Sequence, residues 1–583
     1  MIPSWQLLLL SFIYIGALFA VAWFGDRRAA SGRPIHNRGL VYSLSLAVYC
    51  TSWTFYGAVG QAATSGWLFL AIYIGPIVFL LMFWPLLERI IRITQEKRLT
   101  SIADFIATRY GRDHNLAVIV TLVAMVGVIP YIALQLKSIS MTYELLTQPL
   151  GTGHGIPELM LQDTAFWVSA LMAIFVIIFG TRDMDASEKH PGMMLAIAFE
   201  SLIKIIAFVA VGIWVITSLY DQPGDVVRLA QETSPGHPLL SDGFVSVSFL
   251  LQSVLAGFAI LCLPRQFQVG VIENESLSHI QTARWVFPLY LILMMFFVAP
   301  IALSGHMLMK DLGFSPDTYV VSLPLTLGAE ELSMLAFIGG ASAATGMIIV
   351  ATIAVATMVS NELVLPVIFR AQQREGQRPA RVQKLVLRVR RIVILLLMMS
   401  AYFFYRMTGE IESLAAIGLL SFAAIAQFAP ALFGGLIWQG ANRQGAVAGI
   451  LGGTFVWFQL LFWPVISEQL SGGSLAGLVP YHFLGFDMDD FSFTVILSLV
   501  VNITLYVFFS VITNAPVRER MLANDFTSVR ATPAKQPKSG LDCKVDDVRV
   551  VLERILGIQK TDLFFAEYQA AHGLQYEKAT ATG

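Results

Sequence analysis

Apolar residues along this chain gather into long unbroken blocks instead of alternating with polar ones. The blocks lie near 4–24, 41–60, 66–87, 116–146, 164–180, 191–219, 243–268, 285–306, 333–356, 391–408, 413–437, 446–466 and 492–513. Their lengths sit around the ~20 residues that carry a helix across about 30 Å of hydrocarbon. Lipid offers no partner to a free backbone group, so a helix is the form expected in each block. The pattern predicts an all-α membrane protein with thirteen transmembrane helices. The first block has no basic start and no small-residue cleavage site, and its basic cluster (Arg27, Arg28, Arg33, Arg38) follows it. It reads as a retained helix with its N-terminus on the periplasmic side.

Two blocks are interrupted by small and polar residues. Span 2 contains "CTSWTFYGAVG", with Thr51, Ser52, Trp53, Thr54, Tyr56, Gly57 and Gly60. Span 7 contains "LQSVLAGFAILCLPRQFQV", with Gln252, Ser253, Gly257 and Pro264. They lie five spans apart. With the first span as an addition, spans 2–6 and 7–11 form two halves that each begin with a broken helix, the pattern of a 5+5 inverted repeat. The alternative is that these small residues serve close helix packing. The expected division is a transmembrane domain over 1–515 and a polar cytoplasmic segment over 516–583. In that segment "TPAKQPKSG" (532–540) reads as a linker, and Val548, Val551, Leu552, Ile555 and Leu556 fall on one helical face. Such a helix suits either a cap at the membrane surface or a connector to a partner.

Composition agrees. Apolar residues make up 56% and charged residues 13%, against about 25% charged in soluble domains, which excludes a soluble enzyme. The 38 basic and 39 acidic residues nearly cancel, but the basic ones are sorted. Thirty-three fall in alternate connections and the tail, and two, Arg228 and Lys310, fall in the opposite loops. This positive-inside bias places the C-terminus in the cytoplasm. Cys50, Cys262 and Cys543 are too scattered for a disulfide framework. No phosphate loop, G-x-S-x-G elbow or H-E-x-x-H is present. The nine histidines do not cluster, and His190 and His572 read as solvated. The expectation is no enzyme, no cofactor, no metal and no nucleic-acid partner.

Charged residues inside spans are costly and point to function. Glu200 and Lys204 lie four apart on one helical face of span 6. They suit either a structural ion pair or an ion-coupling site. Lys137 and Glu144 in span 4 suit either the bundle interior or snorkelling. Gln135 is a neutral donor and acceptor suited to a polar solute. Arg406 reads as an interface anchor, and Met294 and Met295 as lipid-facing or core.

Several segments carry a family likeness. "LTSIADFIATRYGRDHNLAV" (99–118) resembles a cytoplasmic loop of the sodium/solute symporter family, meeting the pattern [ST]-x-x-[DE]-[FY]-[IL]-x-x-R-[FY]-G from Ser101 to Gly111. "FAPALFGGLIWQGANRQGAVAGILGG" (428–453) is similar to that family's junction of spans 11 and 12, "TSWTFYGAVGQAATSG" (51–66) to its broken second span, and "CLPRQF" (262–267) to its G-Q-P-H turn. The resemblance implies the LeuT-type inverted-repeat fold, alternating access and secondary transport of a small solute. It also implies a second sodium site made by span-2 carbonyls and a Ser/Thr pair in span 9. Aligned on "TMVSNELVLP" (357–366), that pair is replaced here by Gly346 and Met347, with Ser342 and Thr345 nearby. Gly and Met offer no hard oxygen, so a proton carried by Glu200 or Glu362 becomes the rival to sodium.

These departures, with the tail, resemble the membrane part and short STAC module of CbrA-type sensor histidine kinases. That branch implies an amino-acid solute, L-histidine first, and links to kinase domains and a response regulator in a longer parent chain. The expected solute residues are Ser52, Trp53, Tyr56, Gln135, Gln252, Ser253 and Gln427. The expected coupling residues are Glu200, Lys204, Ser342, Thr345 and Glu362. A sodium-coupled symporter of another solute and a sensor that transports little or nothing are the alternatives.

Overall fold

The computed structural model describes residues 2–32, 37–148, 157, 159–180, 189–241, 245–367, 379–408, 413–471, 482–483, 486–528 and 565. The chain divides into two compact units, Met1–Thr527 and Ser528–Gly583. Nearly all of the second, including the expected helical face at 548–556, lies outside the described residues, as do Cys543 and His572.

The first unit is a helical bundle. Its helices are α1 (Ser4–Ala30), α2 (Arg38–Ser45), α3 (Ala58–Ser65), α4 (Ala71–Met82), α5 (Trp84–Lys97), α6 (Ile102–Arg109) and α7 (His114–Thr147). Next come α8 (Thr164–Gly180), α9 (Pro191–Ser218), α10 (Asp225–Thr233), α11 (Val247–Cys262), α12 (Pro264–Phe267), α13 (Ser278–Met309), α14 (Tyr319–Thr326) and α15 (Glu330–Met358). The last are α16 (Pro379–Thr408), α17 (Leu414–Ala426), α18 (Ala429–Ile437), α19 (Arg443–Trp457), α20 (Trp463–Ser471), α21 (Asp490–Ile512) and α22 (Val517–Thr527). A two-residue hairpin pairs His482 with Asp487 and Phe483 with Phe486. A helix stands at each expected block. Among the described residues nine helices are long and apolar enough to cross a membrane, ten with the bent pair α11 and Pro264–Ile272.

Both interrupted blocks are broken where the small and polar residues fall. In the first, a 3-10 turn over Leu46–Tyr49 ends at Cys50 in extended backbone (ψ 100), and the helix resumes as a π-helical turn over Trp53–Gly57. In the second, Leu263 is extended (ψ 125) before Pro264, and the two parts meet at 52°. It too leads into a π-helical turn, Gln268–Ile272. Proline has no N–H to give α11 and pushes the residue before it toward extended backbone, which favours the break at Leu263.

The glycines around the breaks serve close packing. A Cβ on Gly57 would lie 3.0 Å from Leu414 Cβ, and one on Gly60 would overlap the Asp317 carboxylate. One on Gly75 of α4 would overlap the Ser253 carbonyl and lie 2.7 Å from Gly257 N on α11. Small residues let these backbones approach, as membrane helices require.

The family-like motifs fold into a clasp. The Ser101 hydroxyl accepts from Asp104 N (3.1 Å) while Asp104 accepts from Thr100 N (3.0 Å), a reciprocal cap that starts α6. Arg109, fully buried, donates to the carbonyls of Gly435 (2.5 Å) and Trp438 (2.8 Å), neutralising the C-terminal end of α18. Tyr110 donates to Ala431 O (2.8 Å), and Gly111 turns at φ +89. Helix α22 docks on the same clasp. Phe526 is wholly buried edge-on to Phe105, Arg89 donates to its carbonyl, and Lys97 pairs with Asp525 (2.8 Å). The adjacent "NRQG" is capped by Asn442, whose side chain accepts from Gly445 N (3.0 Å).

Candidate functional site

At the first break Ala47 O accepts from Cys50 N (3.0 Å), while Cys50 O has no main-chain donor among the described residues. Lys204 of α9 bridges the two carbonyls: its Nζ donates to Ala47 O (2.9 Å) and Cys50 O (2.8 Å). The side chain is 2% exposed. The ion pair with Glu200 expected as the structural alternative does not form. Glu200 points instead to α1 and α15. Its Oε1 accepts from Tyr14 (2.8 Å) and from Thr345 (2.7 Å), and its main-chain carbonyl accepts from Ser342 (3.0 Å). Gly346 makes room for it, since a Cβ there would overlap Glu200 Oε2 and lie 3.2 Å from Cδ. Met347 is buried in the core.

A sodium ion needs several hard oxygens that point at one place. Here the two span-2 carbonyls already receive an ammonium, and the hydroxyls of Ser342 and Thr345 are turned to Glu200. The donors present do not fit a sodium ion held in the manner the resemblance implies. Among the described residues no three His, Cys, Asp or Glu side chains group as a metal site.

The second break carries Arg265, which counts as a loop cation in the sequence but is 1% exposed within the bundle. Its guanidinium lies over the Tyr131 ring, 4.1 Å from the centroid. None of its three nitrogens has a hydrogen-bond partner. Tyr131 stacks on Phe422 at 5.8 Å and 3°, Trp53 meets Phe422 at 4.9 Å, and Tyr131 shares a hydrogen bond with Thr51 (3.0 Å). Trp53 Nε1, Gln266 Oε1 and Ser421 Oγ are likewise buried and unpartnered. Gln266 Nε2 meets Leu46 O at 3.4 Å, so the two breaks touch here.

The expected solute residues divide. Ser52, Trp53 and Gln135 come together at the first break: Ser52 N donates to Gln135 Oε1 (3.2 Å), and Ser138 donates to the Ser52 hydroxyl (2.7 Å). The others turn away. Tyr56 donates to Ala336 O (3.1 Å) and packs on Gly340, locking α15. Gln252 accepts from Gln61 (3.3 Å). Ser253 donates to Phe249 O (2.8 Å) within its own helix. Gln427 is saturated by Ser498 (3.0 Å) and Asn502 (2.9 Å) and joins α17 to α21. Glu362 lies in a π-helical turn (Val359–Val364) that continues α15.

Other polar residues also find partners. Glu144 accepts from Ser140 (3.0 Å) and Lys137 is buried. Arg406 donates to Pro157 O (3.0 Å) and Tyr402 (3.3 Å). Met294 is core. His190 is not merely solvated, because its Nδ1 meets the buried Glu273 at 2.8 Å. The residues that sequence reasoning misses are Tyr14, Tyr131 and Arg265. A buried cation directly after Leu-Pro at a helix break was the available signal for Arg265.

No protein-family model matches the chain. A Bacillus subtilis (strain 168) protein named as the uncharacterized symporter YhjB is 22% identical over 419 residues, 71% of this chain and 78% of that protein. The structure of a Na+-coupled sialic acid symporter, substrate-bound and outward-open, superposes with a TM-score of 0.60 at 14% identity, over 88% of this chain and 98% of that one. The chain is a multi-pass, all-α membrane protein that shares the fold of that symporter.

Proposed function

We propose that the chain is a secondary transporter of a small solute, working by alternating access and coupled to protons instead of sodium. The fold likeness and the symporter relative support transport. The observation that carries the coupling is the Lys204 ammonium on Ala47 O and Cys50 O. As an ammonium it holds the broken span to α9. After loss of its proton the amine donates more weakly, and the half-helix is released. Glu200, bridged to α1 and α15, is the adjoining proton group. The solute is an amino acid, with L-histidine first, as the sequence resemblance implies. The topology belonging to this reading has thirteen spans, a periplasmic N-terminus and a cytoplasmic C-terminus in a bacterial inner membrane.

The test is uptake of labelled L-histidine into proteoliposomes of the full chain. An inward proton gradient is compared with an inward sodium gradient, with empty vesicles as control. Proton-driven uptake that sodium does not enhance is expected. Sodium-driven uptake, or none under either gradient, would overturn the reading.

A signalling role is the second reading. Helix α22 is seated on the clasp formed by α6 and α18, so a shift of that clasp reaches the chain just before the second unit. A kinase relay to a response regulator would begin there. It predicts that L-histidine alters hydrogen exchange in 517–527 even in a variant that binds without transporting. Unchanged exchange removes it.

A further inference from the structure

We infer that Arg265 is the anchor of a carboxylate-binding site between the two broken spans, and that the solute is a small organic monoanion or zwitterion held by its carboxylate. This names the solute chemistry of the transporter proposed above and rests on that reading, but its test needs no gradient.

A guanidinium cannot shed its proton inside a protein. Burying it unpaired costs several kcal/mol, so buried arginines are paired or bind an anion. Arg265 is buried, and all three of its nitrogens lack partners. Lys204 lies within electrostatic reach of Arg265 and is itself offset by Glu200, so among the described residues no carboxylate meets the guanidinium. Lys137, further along α7, lies within electrostatic reach of Asp317 instead. One carboxylate, on a monoanion or a zwitterion, supplies the negative group that the guanidinium lacks.

Geometry narrows the class. The guanidinium rests on the face of Tyr131, so the ring takes one face and the in-plane donors keep their hydrogen-bonding capacity unused. Those donors form the planar fork that matches a carboxylate bidentately. The remaining orphans are complementary to the rest of such a molecule. Gln266 Oε1 and Ser421 Oγ accept from an ammonium, and Trp53 Nε1 donates. Trp53, Tyr131 and Phe422 supply aromatic walls. The second break thus supplies the charge and the first break the apolar wall, so a ligand bridging them senses the relation between the two halves.

The experiment is ligand-induced thermal stabilisation of the detergent-purified full chain in chloride-free Tris sulfate buffer, which holds no carboxylate. The probes are L-histidine against its decarboxylated analogue histamine, sodium acetate against acetamide, and sodium chloride. Wild type is compared with R265K and R265Q. The expected result is stabilisation by a carboxylate probe and none by its matched neutral or decarboxylated partner. The apparent affinity should fall on the order of 10- to 100-fold in R265Q, the loss of a charged hydrogen-bonded pair. R265K, which keeps the charge but not the fork, should fall in between. The comparison of matched probes on wild type stands even if R265Q does not fold. Three results would each overturn the inference: no carboxylate stabilises wild type, histamine stabilises as well as L-histidine, or chloride alone gives the same Arg265-dependent effect. Proton-independent uptake with carboxylate binding intact would defeat the coupling proposal and leave this site standing.

Discussion

Replacing Lys204 by Met removes the ammonium and keeps most of the stem. The void is small, so packing contributes little to the effect. Ala47 O keeps its bond from Cys50 N (3.0 Å), so Cys50 O is the carbonyl left without the donor that met it at 2.8 Å. A buried carbonyl left unsatisfied costs about 1–3 kcal/mol. Relief of the desolvated ammonium offsets part of this, which places the net loss near the lower end of that range. The carboxylate of Glu200 is affected less, because Tyr14 and Thr345 hold it. The assay is equilibrium unfolding of the purified chain in mixed micelles, followed by tryptophan fluorescence. A change under about 0.5 kcal/mol, the scatter of an ordinary surface substitution, would refute the claim that Lys204 fastens the broken span.

Gly346→Ala places a methyl group against Glu200 Oε2, so the carboxylate must swing from Tyr14 and Thr345. Two hydrogen bonds to a charged group, about 1.5–3 kcal/mol each, are at stake. Proton-driven uptake should fall at least about tenfold, while Gly224→Ala, at an exposed position with negative φ and open space, serves as the control. In the loop before α11, burial first, and then neighbouring His306 and Lys310, push the His237 ring down to about 4. Its folded pKa lies below the unfolded value, so the folded state is disfavoured by protonation. Its contribution is full above about pH 6.5 and is lost as pH falls toward 4. Thermal midpoints measured across that range should decline in wild type and decline less in His237→Gln. Phe526→Ala removes a fully buried ring from α22. At roughly 3–5 kcal/mol it should undock the helix, seen as faster hydrogen exchange over 517–527 with the bundle's exchange unchanged.

Much of the fold is legible in the sequence because lipid leaves the backbone few options. Blocks of apolar residues become helices, and Leu-Pro or a cluster of small polar residues breaks them. The motif at Ser101–Gly111 is legible for a local reason, as a capping box followed by an arginine that meets a helix end. The site is legible only where chemistry is incongruous with its block. Lys204 stands out as a cation among apolar neighbours, but sequence spacing suggests Glu200 as its partner. The carbonyls it meets lie 157 and 154 residues away, at a break whose geometry is tertiary. Tyr14 is 186 residues from Glu200 and sits in a helix whose other polar residues give no hint. Gln427 and Tyr56 have the right chemistry and the wrong facing, since each is used up in joining helices. Arg265 is hidden by the polar run after it, which makes a buried guanidinium look like the start of a loop.

The central claim is that an ammonium stands where a coupling sodium would be held. Equilibrium binding of radioactive sodium to the purified full chain, with and without L-histidine, tests it most directly. No saturable sodium binding to wild type is expected in either condition. Saturable binding that is lost when Ser342 and Thr345 are replaced by Ala would contradict it.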